Sequence, residues 1–446
     1  GMATRTKPRL CVKDGVVLSH VLATRSASAQ TPERPFVIEH REALIYMICA
    51  AAEMEHGLMC EYLFAAFSLK ERTEEGLRPH QLEAVDRWRK LVIGVATQEM
   101  LHLALTANML TSLGASPHLS RPNLPQPARH YPPGVKIALL PFGEQALRHF
   151  MFLERPEGMA LDDAEGIDAT AAAAPLMDEE EIVPRLQDFA TVGHLYRAIE
   201  DGFRHLVAKL GEDRVFIGPA SAQVTAAIFS WPQLRPVADL QGAVAAVEAI
   251  VEQGEGSRGD WREAHFGRFK RIFDEYQLLR SEDPTFEPAR PVLAARVRLG
   301  EGEMAGLVIE DPRTARVADL FNVIYEVLLQ LLYRLLAHID ETESQVATLS
   351  DVAVGLMYEG IGQIGRLLST MPVGPSYPGA TAGAPFELFY QPDYLLPHRR
   401  AAWLMMGEHL GDAAAFAARL SASVPSLAAV SGALAGYAQR IVTGAG

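Results

Sequence analysis

The 446-residue sequence lacks the features that mark several common protein classes. Its only cysteines are Cys11, Cys49 and Cys60, and it has no CxxC pair, so no disulfide framework is predicted. With no secretory leader near the N-terminus, this sparse cysteine content favours a reducing, cytoplasmic location. There is no GxGxxG that opens a helix after a strand, no GxxxxGK(S/T) and no GxSxG. Dinucleotide, P-loop and serine-hydrolase chemistry are therefore not indicated.

Positive charge and long apolar runs are also scarce. The 41 Lys and Arg residues are outnumbered by 55 Asp and Glu, which gives a net charge of −14 and a pI of about 5.5. This balance argues against nucleic acid and anionic membranes as partners. No apolar run reaches the roughly 18 residues of a membrane span. The strongest candidate, Leu320–Ile339, is interrupted by Asn322, Glu326, Gln330, Arg334 and His338.

The apolar pattern is mainly helical, and it predicts an all-α chain. Two hairpins, at about 37–113 and 185–280, predict a four-helix bundle whose last helix is interrupted at 254–260. Further helices are expected at about 143–154, 315–339, 347–370, 398–421 and 424–443, and short strands near 15–21 and 292–297. We predict an irregular segment at 1–36, the bundle at 37–280, and a helical C-terminal extension with long Pro- and Gly-rich loops at 281–446.

The stretch QEMLH, residues 98–102, places Glu99 and His102 within an apolar helix. A spacing of three puts both side chains on one helix face, about one turn apart. A lone ExxH pair is usually an exposed pair, but the apolar flanks indicate that this one points inward, where an unpaired carboxylate is costly. Metal sites in four-helix bundles use such pairs together with glutamates from other helices.

The first helix offers four ionisable groups in AAEMEHGLMCEYLF: Glu53, Glu55, His56 and Glu61. Antiparallel pairing with the second helix places Glu55 at the height of Glu99, whereas Glu61 is too close to the turn. We therefore predict Glu55 as the partner ligand. Glu53 and Glu61 are expected on a solvated face or beside the ligands, and His56 could also lie beside them.

The second hairpin also offers candidate metal ligands, but the sequence leaves their roles undecided. His194 is either a ligand or an ordinary half-buried histidine, and Glu200 is either a ligand or an exposed helix acid. Glu255, between two glycines, is placed by an interruption of the helix rather than by helix propensity. His265 follows, and Glu252 is an alternative to Glu255.

These segments together resemble a known family. The similar segments are EHGLMCEYLFAAFSLK, QEMLHLALTANMLTSLGASPHLSRPNLP, TVGHLYRAI, IVEQGEG with AHFGRF, and ATAGAPFELFY. They are similar to the ferritin-like domain of iminophenyl-pyruvate dimer synthases, bacterial enzymes of violacein and related bisindole pathways. The resemblance implies a ferritin-like four-helix bundle with a metal site. Its acidic and histidine positions fall on Glu55, Glu99, His102, Glu255 and His265. The family pattern has a carboxylate where this chain has His194.

Three functions are compatible with these observations. The first is a non-haem metal enzyme of secondary metabolism, with one or two ions of iron or manganese, that oxidises or couples an aromatic amino-acid-derived imine. The second is a metal-binding protein without organic turnover, and the third a structural bundle without metal. The first function implies a small aromatic substrate, and a homo-oligomer is compatible with it. Haem is a further alternative, because its binding needs only one histidine.

A late aromatic loop bears on the substrate. Phe386, Phe389, Tyr390 and Tyr394 could shape a substrate pocket, although packing against the C-terminal helices is the favoured interpretation.

Overall fold

The computed structural model describes residues 38–125, 137–161, 189, 191–256, 260–297, 307–389 and 396–446. Within these residues the secondary structure is almost entirely helical, as the apolar periodicity predicts. The strand expected near 15–21 lies outside the described residues.

The first hairpin consists of α1 (Arg41–Ser68) and α2 (Pro79–Ser112). Pro79 occupies the first helical position of α2, where its missing N–H is not needed and its fixed φ suits a helix. Gly114, with φ +92°, follows the end of α2 in the left-handed conformation that glycine adopts at little cost. The two helices pack along their lengths and form half of the bundle.

The other two bundle positions are each occupied by two shorter helices: α3 (Glu144–Leu153) with α4 (Val192–Leu210), and α5 (Leu240–Gly254) with α6 (His265–Glu282). Helix α3 packs against α6, and α4 packs against α5 and α1. The breaks in both positions lie at the centre of the bundle. Since chain ends of four helices meet there, loop residues and helix termini can supply functional groups.

The C-terminal extension packs onto the bundle around α7 (Pro312–Leu336). It continues with α8 (Glu343–Leu356), a π-helical segment (Met357–Gly362), α9 (Gln363–Leu368), α10 (Arg399–Leu420) and α11 (Leu427–Gly444). The helix predicted at 347–370 is thus interrupted by a π-helical segment. The strand predicted near 292–297 is reduced to a two-residue parallel pair, β1 (Ala295–Arg296) with β2 (Leu307–Val308). Bundle and extension share one hydrophobic core.

Among the described residues, α1 has the length and composition to cross a membrane, whereas 320–339, the strongest candidate in the sequence, does not meet that criterion. However, 72% of the apolar window of α1 is buried inside the protein. The core helix of a bundle has the same composition, because it is covered on every side.

Candidate metal centre

The first ligand group joins α1 and α2 at the centre of the bundle. Nδ1 of His102 lies 2.9 Å from Oε2 of Glu99, one turn earlier on α2, and 3.3 Å from Oε2 of Glu55 on α1. All three side chains are buried, and Glu99 is 1% exposed. The structure therefore shows the predicted inward direction of the ExxH pair and places Glu55 beside it. The ligand roles of these three residues stay a prediction.

The second group shares Glu99 with the first. Nδ1 of His265, at the start of α6, lies 3.0 Å from Oε1 of Glu99 and 3.4 Å from Oε1 of Glu154. In each group the candidate ligand atoms lie within 4.8 Å of one another. The two oxygens of Glu99 therefore face different groups, which is the arrangement of a carboxylate that bridges two cations.

Both histidines present the same nitrogen to the site. Nε2 of His102 lies 3.0 Å from the side-chain oxygen of Gln253, and Nε2 of His265 lies 2.7 Å from that of Gln98. An amide oxygen accepts a hydrogen bond from Nε2–H, so in the neutral ring the lone pair is left on Nδ1, which faces the carboxylates. This is the tautomer that metal binding through Nδ1 requires.

A tyrosine donates a hydrogen bond to the outer carboxylate of each group. The Tyr196 hydroxyl donates to Oε1 of Glu55 over 2.7 Å, and the Tyr62 hydroxyl donates to Oε1 of Glu154 over 2.5 Å. Burial, followed by the nearby carboxylates, raises the pKa of both tyrosines well above its usual value. Both therefore stay protonated and keep donating.

The carboxylates of the first group titrate as a pair. Burial, reinforced by the charge of Glu99, raises the pKa of Glu55 to about 7. Burial would raise the pKa of Glu99 too, but the positive charge of His102 and the hydrogen bond from Glu55 outweigh it and lower that pKa. Without metal the two carboxyl groups therefore share one proton, held on Glu55.

The two histidines are also proton carriers in the metal-free site. Burial alone would lower their pKa values, but the carboxylates dominate: they raise the pKa of His102 well above its usual value and that of His265 to about 9. Protons thus balance the buried negative charge. The donor set of carboxylate oxygens and imidazole nitrogens is the one that iron and manganese accept in helical bundles, so the residues fit a metal that would replace these protons.

A small cavity of about 20 Å³ lies at the centre, lined by Glu55, Glu99, His102 and Glu154. Glu255 also lines it, and its Oε2 accepts the backbone N–H of Glu157 over 2.7 Å. A Cβ on Gly193 would lie 2.2 Å from Oε1 of Glu255. Only glycine at this position leaves room for that carboxylate against the first turn of α4.

The remaining predicted residues lie outside the two ligand groups formed by the described residues. The His194 ring is buried and packs edge-on against Phe189 at 5.2 Å between centroids. Glu200 pairs with Arg204 on the same helix. Glu252 is exposed. A ligand role for His194 and Glu255 stays a prediction.

The other ionisable groups of α1 have their own partners. Glu53 is half-buried and lies 2.9 Å from Nε2 of His118. Glu61 is fully buried, accepts the backbone N–H of Ala138 and lies 3.1 Å from Nε2 of His149, so a solvated face is excluded for it. His56, the residue after Glu55, does not line the central cavity and hydrogen-bonds to Tyr325.

Glu154 is not among the ligands predicted from the sequence. It directly follows α3, in the stretch FMFLERPEG, and has no histidine three residues away. Only its position could have indicated a ligand. Glu154 is an acid at the end of an apolar helix, two residues before Pro156, and it lies at the level of the bundle where two of the four positions are interrupted. Four further residues beside the ligands were not predicted either, because their roles depend on contacts between helices: Tyr62, Tyr196, Gln98 and Gln253.

The match to a protein-family model agrees with this architecture. Residues 48–274, just over half of the chain, match the family model described as Ferritin-like. A ferritin-like protein of known structure from Caulobacter vibrioides is 19% identical with a TM-score of 0.47, over 78% of this chain and 99% of that one.

Two relatives are similar over most of this chain. Dichlorochromopyrrolate synthase of Lentzea aerocolonigenes is 26% identical over 396 residues, which cover 80% of this chain and 37% of that protein. The 2-imino-3-(indol-3-yl)propanoate dimerase of Chromobacterium violaceum is 26% identical over 404 residues, which cover 85% and 37%. The chain thus spans little more than a third of the length of these relatives. The family match covers just over half of the chain and includes all five residues of the two ligand groups, so this chain belongs to the ferritin-like family, as its motifs predict.

Proposed function

We propose that the protein is a metal-dependent enzyme of secondary metabolism that oxidises or couples an imine derived from an aromatic amino acid. The observation that carries the proposal is Glu99, whose two carboxylate oxygens serve two Glu–His groups. The names of the two relatives support the substrate class, since one is a dimerase of an indole imine and the other a synthase of dichlorochromopyrrolate.

Two ions are accommodated by the donor set. Glu55 and His102 would hold one, Glu154 and His265 the other, and Glu99 would lie between them. Iron, or manganese in its place, would supply one-electron redox chemistry at this position.

The protein's own residues prepare the site for such ions. Gln98 and Gln253 fix the orientation and tautomer of the imidazoles. Tyr62 and Tyr196 fix the outer carboxylates and hold a proton on each hydroxyl next to the centre. The complete burial of the ligands excludes bulk water and strengthens each of these interactions.

One observation favours a second candidate, a metal-binding protein without organic turnover. The central cavity of about 20 Å³ is close to the volume that one water molecule needs, roughly 10–15 Å³. An aromatic imine does not fit there as the side chains stand. For an enzyme, the substrate must therefore react from a neighbouring position or after the loop at Glu157 and Glu255 has moved.

The test is a product assay on protein loaded anaerobically with iron(II). The imine is generated from L-tryptophan, and in parallel from L-phenylalanine, by an amino-acid oxidase, and dimeric products are sought by liquid chromatography and mass spectrometry. Dimer formed by the wild type and by Glu53→Ala, but not by Glu99→Ala, supports the enzyme. Metal retained without any imine-derived product supports the second candidate. Failure to retain metal supports the structural bundle.

A further inference from the structure

A second, larger cavity lies between the bundle and the C-terminal extension. It has a volume of about 430 Å³ and is lined mainly by apolar side chains from α1, α2 and α7, among them Met59, Leu63, Met100, Leu328, Leu329 and Leu332. Ligand-binding pockets typically measure about 300–1,000 Å³ and have this kind of lining. No residue lines both this cavity and the metal centre. We name it the apolar cavity.

One wall of the apolar cavity is the π-helical segment. Five of its six residues line it, and Gly360, the exception, packs so closely on α7 that a Cβ would lie 2.9 Å from Ile324. π-Helical turns are rare and occur frequently at functional sites. Tyr358 in this segment is 70% exposed, so the cavity reaches solvent beside it.

A second wall contains a strained residue. Phe386 has φ +46° although it is not glycine, and its buried ring lies edge-on to Phe321 and Tyr325. The conformation is held by Arg121, whose Nη2 donates to the Phe386 carbonyl over 2.7 Å. Strained residues of this kind cluster at active sites and ligand clamps. The apolar cavity thus carries two unusual backbone features, which indicates a built site rather than a packing defect.

The charged residues at the apolar cavity are engaged elsewhere. Arg89 pairs with Asp86 at 2.5 Å and Arg366 with Glu71 at 3.7 Å. Glu359 accepts the hydroxyl of Tyr437 over 2.6 Å. A charged ligand would have to compete with these interactions, whereas a neutral one leaves them intact.

The polar groups at the inner end mostly bond to one another. Tyr325 hydrogen-bonds to His56, and its hydroxyl accepts from Nη2 of Arg121 over 3.1 Å. Nδ1 of His56, which lines the cavity, and Nε of Arg121 have no hydrogen-bond partner among the described residues, so a ligand could bond to His56 through one neutral polar group. Burying a ligand charge in a lining this apolar would cost free energy. The apolar cavity therefore selects for an uncharged molecule.

The lining of the apolar cavity favours a ligand with aromatic rings. Phe67, Phe229, Trp231, Tyr325 and Phe386 supply aromatic surface, and three methionines supply polarisable sulfurs that adapt to ring edges. We propose that the apolar cavity binds an uncharged, mainly aromatic small molecule at a site separate from the metal centre. The proposal goes beyond the metal chemistry, because it concerns binding by the metal-free protein as well.

The experiment is a fluorescence titration of metal-free protein with N-phenyl-1-naphthylamine, a neutral aromatic probe. We expect saturable binding of one probe per chain, displaced by indole. Leu332→Trp and Ile93→Trp, which add bulk from opposite sides at half-buried lining positions, should each weaken binding at least about tenfold. Leu404→Trp, at an exposed position on α10 that does not line the cavity, should leave binding unchanged.

Non-saturable binding overturns the proposal, and so does equal binding by two cavity-filling variants that unfold at the wild-type temperature. Equally tight binding of the anionic probe 8-anilino-1-naphthalenesulfonate overturns the neutral class. If neither variant folds, a crystal soaked with 5-bromoindole locates the site by bromine anomalous scattering. A peak in the apolar cavity supports the proposal, and its absence there contradicts it.

Discussion

The metal centre and the apolar cavity share two helices and little else. The first measures about 20 Å³ and is surrounded by carboxylates and imidazoles, whereas the second measures about 430 Å³ and is lined by leucine, methionine and aromatic rings. Successive helix residues point about 100° apart, so Glu99 faces the metal centre while Met100, the next residue, faces the apolar cavity. One buried helix therefore separates the ligand groups from the apolar cavity by a single residue step.

The largest expected effect is the loss of metal on removing the shared carboxylate. Glu99→Ala deletes the oxygens that face both groups, so metal content should fall from about two equivalents to near zero. Binding of the neutral probe in the apolar cavity should be unchanged, because Glu99 does not line it. Elemental analysis and the fluorescence titration measure the two effects on one preparation.

Glu53→Ala is the matched control for this variant. It removes a half-buried glutamate of the neighbouring helix that pairs with His118, outside both ligand groups. Equal metal loss in both variants would show that the effect is general destabilisation, and full metal content in Glu99→Ala would refute the bridging role.

The next largest effect is a pH dependence of folding stability, and it is expected only in the metal-free protein. Folding raises the pKa of Glu55 from 4.5 to about 7 and that of His265 from 6.5 to about 9. The folded state thus binds more protons than the unfolded chain. The stability from these groups is present below pH 4.5 and 6.5, respectively, and is lost as the pH rises through 7 and 9.

Thermal unfolding of metal-free protein should therefore occur at progressively lower temperature between about pH 7 and 9, above the range in which the lowered pKa of buried His56 acts in the opposite direction. Bound metal displaces these protons, so the loaded protein should lose this dependence and should release protons on loading. A pH-independent midpoint for the metal-free protein would contradict the assigned charge state.

A smaller effect, on the free energy of unfolding, is expected when the hydroxyl of a buried or a surface tyrosine is removed. Tyr196→Phe removes a buried donor to Glu55 and should destabilise the protein by about 1–3 kcal/mol in chemical denaturation. Tyr437→Phe removes a similar bond to Glu359 at the surface and should cost less than about 1 kcal/mol. Equal losses would mean that burial at the centre adds nothing to the strength of the bond.

The smallest effect is expected at His194. Its ring packs against Phe189 outside both ligand groups, so His194→Ala should leave metal content within about a tenth of wild type. Loss of one equivalent in elemental analysis would instead make His194 a ligand, one of the two alternatives that the sequence leaves open.

The sequence predicts the helices well and the site in part. The helices of both hairpins follow from apolar periodicity, and Glu55, Glu99 and His102 follow from helix spacing and antiparallel height. Glu154 and the hydrogen bonds of Tyr62 and Tyr196 could not be found in this way. They depend on which helix ends meet at the bundle centre, and no local spacing encodes that.

The most direct test of the shared-carboxylate account is the number of metal ions per chain. Wild-type protein, purified without chelator and loaded anaerobically with iron(II), is analysed by inductively coupled plasma mass spectrometry against protein concentration. Two equivalents are expected, one for each ligand group that contains Glu99. A value below about a tenth of an equivalent after loading would contradict it and would leave a bundle whose buried acids are held by protons alone.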